Sequence, residues 1–171
     1  MDISPEVRNL AAQVRGIVFD VDGVLTDGRI IYTDDGHEQK QFNVQDGASI
    51  KLLAAHDIAI AIITGRRSPM VARRARELGI TFVQQGAGSK AAALDALIAD
   101  GFPAANNAAV GDDLQDIDVF SHAAVSLALT VPNAHPATLA SAHYVTQRRG
   151  GDGVVVELAQ LILTAQDKWP Y

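Results

Sequence analysis

The sequence predicts an α/β fold, a parallel sheet layered between helices. Three observations predict it. Apolar runs of strand length alternate with segments of helix length, a pattern that calls for parallel strands joined by right-handed crossovers. Ile58 to Ile63 is apolar throughout, as a strand buried on both faces must be. The apolar run from Val14 to Phe19 stops abruptly at Asp20 and Asp22. Ionised carboxylates are kept out of the middle of a buried strand by their desolvation cost. Asp20 and Asp22 are therefore expected at the carboxyl end of a strand, where open α/β sheets bind ligands.

The elements follow in order. Ser4-Pro5-Glu6 marks a helix start, with Ser4 as cap and Pro5 at the first helical position, and the helix runs to about Ala12. Val14 to Asp20 is the first central strand. Gly28 to Tyr32 and Glu38 to Val44 flank the turn Thr33-Asp34-Asp35-Gly36, which predicts a β-hairpin over residues 28–44. Asp46 to His56 reads as a helix, Ile58 to Ile63 as a strand, and Arg67-Ser68-Pro69 as the start of a helix to Leu78 capped by Gly79. A strand over Ile80 to Val83 and an alanine-rich helix over Ser89 to Ala99 come next. Ala108 to Val110 is a strand ending at Gly111-Asp112-Asp113, followed by a helix to about Phe120 and a strand near Ala123 to Leu127. A short helix after Pro136, a strand over His143 to Thr146, a glycine loop at 150–153 and an amphipathic helix over Val154 to Gln166 complete the chain. Residues 167–171 form a tail. The 171 residues suit one domain, with no linker or repeat.

The composition is that of a globular protein, 48% hydrophobic and 20% charged. A net charge of -6 argues against nucleic acid or an anionic membrane as partner. There are no cysteines, which excludes disulfides and thiolate chemistry and fits a reducing compartment. No run is long enough to span a bilayer, and the polar start with Asp2 and Glu6 lacks the order of a signal peptide. Cytoplasm is the expected location.

Four groups fall where strands end: Asp20 with Asp22, Thr64-Gly65-Arg66, Lys90 at a helix start, and Asp112-Asp113 with Asp116 one turn on. Taken singly each is an ordinary turn or cap. Together they make a site. Carboxylates converging at one sheet end repel, and a hard divalent cation relieves the repulsion. Asp20 and Asp112 with water ligands suit Mg²⁺. The Thr64 hydroxyl and the Lys90 ammonium suit phosphoryl oxygens.

In this order the motifs Asp20-Val21-Asp22-Gly23-Val24-Leu25-Thr26, Thr64-Gly65-Arg66, Lys90 and Gly111-Asp112-Asp113-Leu114-Gln115-Asp116 resemble the haloacid dehalogenase superfamily of phosphoryl-transfer enzymes. The resemblance implies a Rossmann-like three-layer sheet. It makes Asp20 the nucleophile and Asp22 the general acid/base, with its backbone carbonyl on the metal. Thr64 and Lys90 bind phosphate, Asp20 and Asp112 bind Mg²⁺, and Asp113 and Asp116 support them. The intervals between motifs leave room for the hairpin after the first strand but for no cap domain. An uncapped site calls for a large substrate or a neighbouring subunit as lid.

The whole-chain pattern, including Phe42-Asn43-Val44-Gln45-Asp46-Gly47, Ala134-His135-Pro136 and Gly150-Gly151-Asp152-Gly153, is similar to one capless subfamily. Its members are the 3-deoxy-D-manno-octulosonate 8-phosphate phosphatases of lipopolysaccharide precursor synthesis. That resemblance implies a small-molecule sugar-acid phosphate as substrate, contacted by Asp22, Asn43, Val44, Gln45, Asp46, Gly47, Lys51, Gly65, Arg66, Arg74 and Lys90. It also implies a homotetramer assembled through the hairpins, with the carboxyl-terminal tail reaching a neighbouring site. Lys51 stands where the subfamily is expected to have arginine, and Arg66 leans toward the eight-carbon substrate over nine-carbon ulosonic acid phosphates. Two other classes compete, a phospho-accepting receiver and a binding domain on a dead enzyme fold. Lys90 preceding Asp112 argues against the first, and the intact Asp20, Asp22, Lys90 and Asp112 against the second.

Overall fold

A computed structural model describes residues 3–171; Asp2 lies outside the described residues. The chain runs α1 (Pro5–Ala12), β1 (Gly16–Phe19), β2 (Ile31–Tyr32), β3 (Glu38–Gln39), α2 (Val44–Ala55), β4 (Ala59–Thr64), α3 (Pro69–Leu78), β5 (Phe82–Gln85), α4 (Lys90–Ala99), β6 (Asn107–Gly111), a 3-10 turn (Leu114–Asp116), α5 (Ile117–Phe120), β7 (Val125–Thr130), α6 (Pro136–Ser141), β8 (Tyr144–Val145) and α7 (Val154–Ala165). Six strands form a parallel sheet in the order β5-β4-β1-β6-β7-β8, and β2 and β3 pair separately as an antiparallel hairpin.

Strand parity builds the two faces. Ile17 and Phe19 of β1, Ile60 and Ile62 of β4, Val110 of β6 and Leu127 and Leu129 of β7 point into one cluster with Leu53, Leu158 and Ile162. Val18, Ala61, Ile63, Ala109 and Ala128 point into the other with Leu94, Leu97 and Phe120. The first face is covered by α2 and α7, the second by α4 and α5, which gives three layers. Burying one leucine or isoleucine side chain contributes about 1.5–3 kcal/mol, so both faces are held mainly by apolar burial. From β1 the chain winds to β4 and β5 on one side, then returns to β6 and β7 on the other. The reversal falls between β1 and β6, whose carboxyl ends bear Asp20 and Asp112.

Several boundaries differ from the sequence expectation. The hairpin strands are only two residues each, and α2 starts at Val44, earlier than Asp46, because Asn43 Oδ1 accepts the Gln45 N–H at 2.8 Å. The strand expected at Ile80 to Val83 lies at Phe82–Gln85, set by parallel pairing of Ala61 with Phe82 through Thr64 with Gln85. The strand expected near Ala123 to Leu127 lies at Val125–Thr130, where it continues the ladder on β6. After Asp112 the helix begins as a 3-10 turn. The helix α3 ends as expected: Gly79, at φ 75°, takes the left-handed conformation that closes a helix.

Candidate active site

The parity of β1 decides where Asp20 points. Val18 faces α4 and α5, so the side chain two residues later leaves the strand end toward the same helices. There Lys90, the first residue of α4, places its Nζ 2.9 Å from Asp20 Oδ1. The same ammonium lies 2.6 Å from Asp116 Oδ1. Asp116 Oδ2 accepts the backbone N–H groups of Asp112 and Asp113, each at 3.0 Å. The Asp113 side chain accepts the Leu114 N–H at 2.8 Å and also the Asp116 N–H, and the latter completes a reciprocal cap with Asp116. Thr64, at the end of β4, is buried, and its hydroxyl accepts the Arg66 N–H at 3.3 Å. The next residue packs on the acidic turn: a Cβ at Gly65 would sit 3.3 Å from Gln115 Oε1.

The electrostatics are those of a site short of positive charge. Burial pushes the Asp20 carboxyl up to about 6 against the pull of Lys90, with Asp116 adding to the rise. Burial pushes Asp112 up to about 8, helped by Asp20 and Asp116. Lys90 is drawn down by burial but held above its ordinary value overall by Asp20 and Asp116. Oxygens of Asp20, Asp112 and Asp116 lie within 4.8 Å of one another. Both Asp116 oxygens are already engaged, while Asp112 Oδ1 is buried without a hydrogen-bond partner. An orphaned carboxylate oxygen facing hard oxygen donors fits a divalent cation on Asp20 and Asp112, with Asp116 as the support that aims Asp112 and Lys90.

Asp22 lies across the mouth in a second cluster, two of whose members the sequence reading missed. Lys40, just after β3, pairs through Nζ with Asp22 Oδ1 and lies 3.1 Å from Glu38 Oε1. Arg66 Nη2 lies 3.2 Å from that Glu38 oxygen, and Arg66 Nε 3.9 Å from Asp22 Oδ2. Glu38 and Lys40 are two apart on an extended segment and so share a face. That spacing was the available signal; only the fold reveals that the face turns back over Asp22.

The other expected substrate contacts are distributed differently. Asn43 caps α2 and reaches Gly151 O at 3.4 Å. Asp46 is buried beneath α7, where its Oδ1 accepts the Val155 N–H at 2.8 Å. Gly47 is pinned against Arg74, whose Nη2 would lie 2.3 Å from an added Cβ. Arg74 also donates to Asn43 O at 3.2 Å and stacks on Phe42. These residues join α2 to α3 and α7, and of residues 43–47 only Val44, 79% exposed, and Gln45 are open to solvent. Lys51 lines a different groove with Gln45, Leu52, Arg148, Trp169 and Tyr171. The tail packs on its own subunit at Trp169, while Tyr171 is exposed.

A buried aspartate at the switch point of a parallel sheet, met by a lysine from α4 and by an acidic turn after β6, defines a haloacid dehalogenase-like hydrolase. A family model of that description matches residues 83–158. The 3-deoxy-D-manno-octulosonate 8-phosphate phosphatase of Yersinia pestis is 45% identical over 167 residues, 97% of this chain and 88% of that protein. The enzyme of the same description from Escherichia coli strain K12 is 42% identical over the same shares. The crystal structure of the Yersinia pestis phosphatase superposes with a TM-score of 0.92 over 97% of this chain and 89% of that one. That of the Moraxella catarrhalis phosphatase, in complex with magnesium ion, phosphate ion and a KDO molecule, superposes with a TM-score of 0.89 at 42% identity, over 95% and 92% of the two chains. This chain belongs to the 3-deoxy-D-manno-octulosonate 8-phosphate phosphatase family.

Proposed function

We propose that the protein is a Mg²⁺-dependent phosphatase that removes the phosphate of 3-deoxy-D-manno-octulosonate 8-phosphate, a step of lipopolysaccharide precursor synthesis. The observation that carries this is the Asp20, Lys90, Asp112 and Asp116 cluster at the β1/β6 switch point. It lies in a chain 42–45% identical to such phosphatases over nearly its whole length.

Mg²⁺ on Asp20 and Asp112 supplies the positive charge that offsets their repulsion and draws charge from the phosphoryl oxygens. An Asp20 carboxylate oxygen attacks phosphorus, and the bond to the sugar oxygen breaks. Asp22 gives its proton to the departing alkoxide. The resulting aspartyl phosphate is then attacked at phosphorus by water, whose proton returns to Asp22, and the broken P–O bond restores the Asp20 carboxylate. Lys90 and Thr64 hold the equatorial oxygens, and Asp116 keeps Lys90 in place. Release of inorganic phosphate from this substrate, with and without Mg²⁺, tests the reading.

The same proposal covers the assembly. The domain spanning residues 1–171 forms a cytoplasmic homotetramer through its hairpins, in which residues 167–171 exchange the packing of Trp169 on their own chain for a neighbouring site. Ile30 and Tyr32, 48% and 66% exposed at the hairpin, support assembly there. No helix among the described residues is long and apolar enough to cross a membrane. Sedimentation reads the assembly: a monomer at micromolar concentration contradicts it, and unchanged turnover after removal of residues 167–171 contradicts the role of the tail.

A further inference from the structure

The segment 131–135, between β7 and α6, grips both turns that carry the first and last acidic motifs. The His135 N–H donates to Asp112 O at 2.7 Å. Two residues earlier, Asn133 Nδ2 donates to Gly23 O at 3.3 Å, and Asn133 Oδ1 accepts the Gly150 N–H at 2.9 Å. The Gly151 N–H donates to Val24 O at 2.9 Å. Gly150 lies so close to the first motif that an added Cβ would meet Gly23 O at 1.7 Å. The glycine loop is anchored in its turn. The buried Glu157 carboxylate accepts the Tyr144 hydroxyl at 2.7 Å and the N–H groups of Gln147 and Arg148 at 2.9 and 3.0 Å. Gly23 is itself buried, and it abuts the Asp112 carboxylate, whose Oδ2 a Cβ at Gly23 would meet at 2.0 Å. Asn133 thus stands between a fixed loop and the turn that presses on Asp112.

We propose that Asn133 is a positioning residue for the metal site: it ties the Asp22–Gly23 turn to the segment that holds Asp112, and so fixes the separation of the two motifs that flank the cation. The proposal rests on the Mg²⁺ reading above and adds to it a residue outside the acidic cluster. A buried backbone carbonyl needs a donor. Without the Asn133 amide, Gly23 O turns toward water, and the contact between Gly23 and the Asp112 carboxylate loosens with it. The Gly150 N–H is freed by the same change, so the glycine loop no longer backs the turn. Mg²⁺ demands near-ideal octahedral geometry at short distances, whereas Ca²⁺ takes longer and less regular ones. A brace that fixes the separation of the motifs therefore favours the smaller ion, and its loss weakens Mg²⁺ more than Ca²⁺.

The test is calorimetric titration of the full chain, freed of metal, with MgCl₂ and separately with CaCl₂. No substrate is present, so turnover does not enter the result. The unsubstituted protein is compared with Asn133→Ala and with Asn133→Ser, which leaves a hydroxyl for one of the two partners. Asn133→Ala is expected to raise the Mg²⁺ dissociation constant about 10-fold, the lower end of what loss of an outer-shell partner does. The Ca²⁺ constant is expected to rise less, so that the preference for Mg²⁺ narrows, and Asn133→Ser is expected to fall between. Urea unfolding without metal reads the stability of the fold separately. A variant of lowered stability that keeps the Mg²⁺ constant of the unsubstituted protein overturns the proposal, because Asn133 would then only brace the loop. Mg²⁺ and Ca²⁺ constants that rise by the same factor overturn it too. If Asn133→Ala does not fold, Asn133→Ser decides alone. An unsubstituted protein that binds no Mg²⁺ overturns the Mg²⁺ reading and the positioning role together. Tight Mg²⁺ binding that survives both substitutions overturns the positioning role alone.

Discussion

Asp116 Oδ1 accepts Lys90 Nζ at 2.6 Å while Asp116 Oδ2 accepts the N–H groups of Asp112 and Asp113. One buried carboxylate thus couples the Lys90 ammonium to the backbone that carries Asp112. Asp116→Ala is expected to lower kcat/KM by about 10- to 100-fold and to raise the Mg²⁺ concentration needed for half-maximal rate, as loss of an outer-shell partner does. A variant with reduced rate but unchanged Mg²⁺ dependence would mean that Asp116 serves Lys90 alone.

The crowding of Asp20 and Asp112 predicts stabilisation by metal. Mg²⁺ at about 100 times its dissociation constant should add about 2.7 kcal/mol, seen as a rise in melting temperature. Asp112→Asn should lose most of that rise. An equal rise in the variant would place the cation elsewhere.

Gly23 sits at φ 98°, and a Cβ there would meet Asp112 Oδ2 at 2.0 Å. Gly23→Ala is therefore expected to displace the Asp112 carboxylate and to abolish Mg²⁺-dependent turnover in a protein that still folds. The check is metal titration followed by melting temperature beside the activity assay. Wild-type turnover would mean that the Asp112 position is not critical.

Burial pushes the Asp46 carboxyl up to about 6 from an ordinary 3.8, although the N–H groups at the start of α7 pull it down. The folded state then holds a proton that the unfolded state has released between those values. Stability from this group is fullest below the window and falls as pH rises through it, by up to about 3 kcal/mol. Asp46→Asn keeps an acceptor for Val155 and carries no charge. Urea unfolding from pH 4 to 7 should show the unsubstituted protein losing stability relative to Asp46→Asn. Parallel profiles would contradict the shift.

Much of the site was legible in the sequence because its signals are local. Asp20 ends an apolar run, Thr64 ends another, and Lys90 follows the helix cap Ser89, so each strand-to-helix junction announces itself within a few residues. Contacts that depend on how distant segments meet were not legible. The Lys40–Asp22 pair needs the hairpin to fold back over the first motif, and the Asp46–Val155 bond needs α7 to start against α2. Asp46, read from the sequence as a sugar contact, is in the structure the acceptor that starts the last helix. The edges of β5 and β7 shifted for the same reason, since ladder register and not local propensity fixes where a buried strand stops.

The most direct test of the central claim is single-turnover phosphate release from 3-deoxy-D-manno-octulosonate 8-phosphate by the unsubstituted protein and by Asp20→Asn. Rapid, Mg²⁺-dependent release through a phosphorylated protein, absent in a folded Asp20→Asn variant, is the expected result. Release by Asp20→Asn at the rate of the unsubstituted protein would contradict the account, because the nucleophile would then lie elsewhere.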